Sequence, residues 1–163
     1  GFELAFPNAT YWTSRQQFKW ATQPNRREEA SYLKENILPI HESGQLRLIE
    51  EEGEYIPNIT FKLYNGHTEG QVIPHIRFNG HTVVFMADLL PSSAHVPMPW
   101  IMAYDTRPLE TLKDKERFYA EALENKYILF LEHDLYTEAI TLQETPKGAR
   151  VNKKGKLAEL LNG

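Results

Sequence analysis

Thr82-Val83-Val84-Phe85-Met86-Ala87 is an almost wholly apolar run that stops at a charge, Asp88. β-Branched and aromatic residues at that density form a strand. A strand without a polar face needs apolar cover on both sides, so the chain must build a layered fold in which helices pack on a sheet. Asn79-Gly80, just upstream, is the signature of a two-residue hairpin turn. It joins this strand to a second, Gln71–Phe78, whose Pro74 suits an edge or a bulge. Ile59–Tyr64 reads as a third strand. Residues 127–131 read as another buried strand, ending in Glu132-His133-Asp134. Residues 138–143 read as a further strand before a basic C-terminal tail.

Helices punctuate these strands. Ser14 with Gln17 three residues later fits a capping box and predicts a short helix to about Thr22, broken by Pro24-Asn25. Asn25 with Glu28 predicts a second cap, followed by the stripe Ala30, Leu33 and Ile37, which Pro39 ends. Residues 45–50 alternate as a strand would, and Glu50-Glu51-Glu52-Gly53-Glu54 reads as a solvated hairpin tip. A proline-rich loop over residues 89–107 carries His95, Trp100, Tyr104 and Asp105. Pro108 then opens an amphipathic helix to about Asn125 with the stripe Leu109, Leu112, Tyr119, Ala122 and Leu123.

Neither an internal repeat nor a linker divides the 163 residues, which suit a single domain. No apolar run approaches the roughly 18 residues needed to cross a bilayer. Eighteen basic against twenty-two acidic residues give a net charge of −4, which offers no attraction for nucleic acid or an anionic membrane. There are no cysteines, which removes disulfides, thiolate metal sites and cysteine nucleophiles and suits a reducing compartment, with the cytoplasm as the expectation.

Three chemistry-bearing residues share one setting. His67 follows the strand ending at Tyr64, Asp88 follows the apolar run, and His133 follows the strand ending at Leu131. Side chains just past the carboxyl ends of strands converge on one edge of a sheet, where ligands bind. A lone histidine or aspartate there is more often a polar cap. Two histidines and an aspartate together make a nitrogen and oxygen ligand set that suits zinc, manganese or iron. His41, His75 and His81 read as structural, whereas His95 could face the site from its loop. No G-x-S-x-G elbow, phosphate-binding loop or G-x-G-x-x-G offers an alternative.

Gly66-His67-Thr68-Glu69-Gly70-Gln71, Phe85-Met86-Ala87-Asp88 and Leu131-Glu132-His133-Asp134 resemble, in order, three elements of the metallo-β-lactamase superfamily. These are its G-H-T-x-G-H element, its strand ending in a bridging aspartate, and its final histidine. The loop from Pro91 to Asp105 is similar to the lactonase-type branch, which includes quorum-quenching lactonases. The resemblance implies an α/β fold, the C-terminal half of an αββα sandwich, with a mixed sheet and flanking helices. It implies that His67 ligates one metal, that Asp88 bridges two and is the catalytic carboxylate, and that His133 ligates the second. Two divalent ions, expected to be zinc, would lower the pKa of a bound water and polarise a lactone or related ester. Each imidazole would need an acceptor on its other nitrogen, and Asp134 or Glu132 could serve. His95 and Tyr104 are candidate substrate contacts.

The chain departs from the family pattern in three places. It has no H-x-H, although H-x-H-x-D-H supplies most of the family's ligands. The 163 residues are therefore expected to be a single incomplete domain that lacks the N-terminal half. Alone, such a fragment should bind metal weakly and catalyse little, and it should cover its exposed sheet with the missing half or a second copy. Gln71 stands where the family often has histidine, and Pro91 where some acyl-homoserine lactonases carry tyrosine. Two other readings stay open: a non-catalytic binding or assembly subunit of the same fold, and a mononuclear iron oxygenase.

Overall fold

The computed structural model describes residues 4–162. Its main sheet contains seven strands: β3 (Gly53–Ile56), β4 (Ile59–Tyr64), β5 (Gln71–Phe78), β6 (His81–Phe85), β7 (Ile128–Phe130), β8 (Ala139–Gln143) and β9 (Arg150–Gly155), ordered β3-β4-β5-β6-β7-β8-β9. Every neighbouring pair is antiparallel except β6 and β7, which are parallel. A parallel pair needs a crossover connection. Here it is the loop after Asp88 followed by α3 (Pro108–Glu124). A second, two-stranded parallel sheet pairs β1 (Tyr11–Ser14) with β2 (Leu46–Ile49), joined through α1 (Arg15–Thr22) and α2 (Lys34–Glu42). The short α4 (Leu157–Leu161) ends the described chain.

The expected elements form where local chemistry is strongest. Ser14 caps α1 by accepting the Gln17 N–H at 2.9 Å. Asn79 and Gly80 both adopt positive φ, 49° and 78°, as a tight hairpin requires. The β5–β6 register closes at Phe78↔His81. Tyr64, Ile73, Val84, Met86, Leu129 and Ile140 face α3 and bury against Phe118, Tyr119 and Ala122. On the opposite face, Val83, Ile128 and Ala139 pack with Leu157, Leu160 and Leu161 of α4. Further along that face, by strand alternation, Ile59, Leu63, Val72, Pro74, Ile76 and Phe85 are only half-buried.

Several expectations are corrected. The single helix expected after Asn25 is split: Glu29–Ser31 form a 3₁₀ turn, Tyr32 is extended, and α2 then runs through Pro39 rather than stopping there. Proline at that point forgoes only its own N–H, and the Ser43 N–H still reaches the Pro39 carbonyl at 3.0 Å. The acidic run 50–54 is not a hairpin tip, because β2 and β3 lie in different sheets. Glu50, Glu52 and Glu54 instead pair with Arg15, Arg117 and Arg77. Pro74 lies in a central strand. The Arg77 N–H points to Asn58 on the β4 side, so three residues away the proline nitrogen faces β6. Pairing with β6 ends at His75↔Val84, one residue short of Pro74, and no ladder bond is lost. The basic tail, where no element is read from the sequence, forms β9 and α4. The buried stripe of α3 is Thr111, Asp114, Lys115, Phe118, Tyr119 and Ala122, while Leu109 is exposed.

Candidate metal centre

His67 sits on a loop that α3 grips tightly. The N–H groups of Asn65 and Gly66 each donate to the Asp114 carboxylate at 2.8 Å. The Arg107 N–H reaches the Gly66 carbonyl at 2.9 Å, and Thr106 donates to the His67 carbonyl from both its N–H and its hydroxyl. A Cβ on residue 66 would lie 2.3 Å from the Thr111 backbone, so only glycine fits there. The imidazole is then fixed by its ring. His67 Nδ1 lies 2.9 Å from Oδ1 of Asp105, and Thr111 Oγ1 donates to the other Asp105 oxygen at 2.9 Å. A carboxylate accepting at Nδ1 places the proton there and leaves the Nε2 lone pair free for a metal.

Asp88 follows β6 through a strained step: Ala87 holds φ at 40°, a conformation uncommon outside glycine, asparagine and aspartate. The turn is closed by the Leu89 N–H donating to the Met86 carbonyl at 3.1 Å. His133 follows β7 and is set by its backbone N–H on the Pro91 carbonyl at 3.0 Å.

The three side chains converge. Oδ2 of Asp88 lies 3.5 Å from Nε2 of His67, and Oδ1 lies 3.3 Å from Nε2 of His133. Each carboxylate oxygen therefore addresses a different histidine. Two ligands on one tetrahedral zinc, each at about 2.0–2.1 Å, stand about 3.4 Å apart. These spacings suit metal ligation, and His67, Asp88 and His133 would be the residues to hold divalent ions here. Among the described residues, no group of three or more His, Asp or Glu side chains is arranged to hold an ion by itself.

Electrostatics follow the geometry. Burial pulls the His67 pKa down, but the Asp105 hydrogen bond and the charges of Asp88 and Asp105 outweigh it and raise the value above 6.5. Burial pushes the Asp134 carboxyl up, while the Ser93 hydroxyl and the backbone N–H groups of Ser93, Tyr136 and Thr137 more than offset this and hold it low.

His67 and Asp88 open onto a cleft of about 560 Å³ whose lining includes Trp12, Tyr32, Gln71 and Tyr104. The Tyr104 ring stands edge-on to His67 with centroids 6.0 Å apart. Gln71 is buried there with its side-chain oxygen unpartnered. His95 is placed differently: it lies on a 3₁₀ turn with its Nδ1 on the Ser92 hydroxyl at 2.7 Å, and it does not line this cleft. The orienting acceptor for His67 is Asp105, not Asp134 or Glu132. Asp134 is committed to Ser93, Tyr136 and Thr137, and Glu132 is exposed. The sequence offers one sign of Asp105: it lies in the loop that leads into Pro108, where α3 begins.

No family model matches the chain, and no curated protein does. Solved structures do. A probable metal-dependent hydrolase from Staphylococcus aureus superposes with a TM-score of 0.80 at 27% identity, covering 91% of this chain and 52% of that one. AidC, a dizinc quorum-quenching lactonase solved with a product, superposes at 0.78 with 18% identity, covering 95% of this chain and 58% of that one. AbOPH, a hydrolase of the β-lactamase superfamily, superposes at 0.74 with 19% identity, covering 90% and 55%. The chain thus has the metallo-β-lactamase fold. It spans about half the length of these structures.

Proposed function

We propose that His67, Asp88 and His133 are part of a two-metal hydrolytic centre, and that the protein containing them cleaves a lactone or related ester. The observation that carries this reading is the Asp88 carboxylate between two imidazoles, one oxygen to each, with His67 oriented by buried Asp105. Bound divalent ions supply an activated hydroxide near neutral pH and polarise the scissile carbonyl. This chain's own residues do the remaining work. Asp105 and Thr111 fix the His67 ring, Asp88 would hold the ions together with His67 and His133, and Tyr104 forms one wall of the cleft where substrate would lie.

Two ligands per ion, one of them shared, fall short of the three that catalytic zinc usually takes from protein. Further ligands would complete the centre, supplied by an N-terminal half or by a second copy of the chain. On the face of β4, β5 and β6 where Trp12 and Tyr55 cover Phe61, the side chains Leu63, Val72, Pro74, Ile76 and Phe85 stay half-buried, which leaves room for further apolar cover there and supports this.

The test is metal content and lactone hydrolysis of the full-length protein beside His67→Ala and Asp88→Ala. Loss of both properties in the variants supports the reading; full activity in both refutes it. One iron per protein in place of two zinc ions would replace the hydrolase with an oxygenase.

A further inference from the structure

Lys115 is buried to 1% exposure at the middle of α3, and among the described residues its ammonium forms no ion pair with a carboxylate. Nζ instead donates to four backbone carbonyls of one loop: His95 at 2.8 Å, Pro97 at 3.0 Å, Met98 at 3.2 Å and Trp100 at 2.8 Å. Three N–H groups shared among four acceptors form a cage that a monovalent cation would also satisfy. One turn earlier on the same helix face, Thr111 donates to Asp105. One turn later, the Tyr119 hydroxyl donates to the Val96 carbonyl at 2.7 Å. Positions 111, 115 and 119, spaced by four, therefore hold residues 95–105 along one side of α3.

We infer that Lys115 is a positioning residue. Its ammonium is an internal cation that folds the 95–100 segment onto α3 and so delivers Tyr104 and Asp105 to His67. The segment contains Pro97 and Pro99, lies at the surface around an exposed Trp100, and includes no strand that could fix it by ladder bonds. Val96 anchors the segment in the core and Tyr119 holds its carbonyl, while the four carbonyls of His95, Pro97, Met98 and Trp100 converge on the one charge of Lys115. A neutral side chain of equal length would leave four buried or half-buried acceptors without a donor.

The charged and titratable groups around Nζ are Asp105, the Tyr119 ring at 5.7 Å and His95. Burial pulls the lysine down to about 8, and Asp105 pushes it back. Above that pH a neutral amine offers two N–H groups and no charge, so the loop loosens while the strands do not. The consequence for catalysis rests on the two-metal reading; the loop tie does not.

The experiment is NMR and hydrogen exchange on the full-length protein. In the wild type, the Lys115 ammonium gives a slowly exchanging ¹⁵N signal, and the His67 Nδ1–H gives a protected ring signal. In Lys115→Met, amides in residues 95–105 exchange at least tenfold faster, those of β4 to β7 are unchanged, and the His67 ring signal is lost. Methylammonium added to Lys115→Ala restores both. Unchanged exchange in a folded Lys115→Met protein overturns the proposal. If that variant does not fold, the wild-type signal decides: a protected ammonium supports the assignment and a freely exchanging one overturns it. Absence of metal from the wild type would refute the two-metal reading while leaving these outcomes intact.

Discussion

His67 and His133 flank the same carboxylate, yet they are held in opposite ways. The His67 side chain is 15% exposed, its ring is bonded to a buried aspartate, and its backbone is clasped by Thr106, Arg107 and Asp114. The His133 side chain is 53% exposed, and among the described residues no hydrogen bond holds its ring. One side of Asp88 is already organised by α3, while the other is fixed only through the backbone of residue 133. A preformed ligand loses little freedom when it binds a metal, whereas a loose one must be ordered in the process. The first ion should accordingly bind on the His67 side, and the second should depend on groups that come from elsewhere.

The most damaging way to break this contrast is Gly66→Ala. Its methyl group would meet the Thr111 backbone at 2.3 Å, which neither partner can yield. A cost of about 3 kcal/mol in stability is expected, measured by denaturant titration, together with loss of the His67 side only. Asp105→Asn comes next. It keeps the shape but removes the charge that sets the His67 tautomer, so zinc affinity at the tighter site should fall about 10- to 100-fold by calorimetry. Asp134→Asn, beside His133 but turned away from it, should leave that affinity unchanged.

The smallest effect lies outside the contrast and checks that it is local. His75 is buried against Phe118 and Tyr127 with Nδ1 on the Ile73 carbonyl and Nε2 unpartnered. Burial and nearby Lys62 lower its pKa below 6.5 despite the Ile73 bond and the carboxylates of Glu121 and Glu52. The unfolded chain therefore takes up a proton near pH 6.5 that the folded chain refuses, and stability contributed by neutral His75 is lost as pH falls below that point. In His75→Phe this acid-side loss should shrink, while metal binding near neutral pH stays as in the wild type.

Much of this is legible in the amino-acid sequence. The strands β4, β5 and β6 are visible because their apolar residues, the Asn79-Gly80 turn and the charge at Asp88 all agree. His67, Asp88 and His133 stood out as candidates because each follows a strand, and the structure brings them to one place. What stayed hidden was polar. Thr111, Asp114 and Lys115 look like a solvated helix face, yet they are buried because each finds a partner on a loop far away in sequence. No local pattern encodes such partners. β9 was equally obscure: Arg150–Gly155 carries little apolar signal and is a strand only because β8 offers it an edge.

The account stands on Asp88 sharing its two oxygens between two ions. Anomalous diffraction from zinc-loaded crystals of the full-length protein tests this directly. Two peaks are predicted, one between Asp88 and His67 and the other between Asp88 and His133. A single peak, or zinc bound elsewhere with Asp88 outside its coordination sphere, would contradict it.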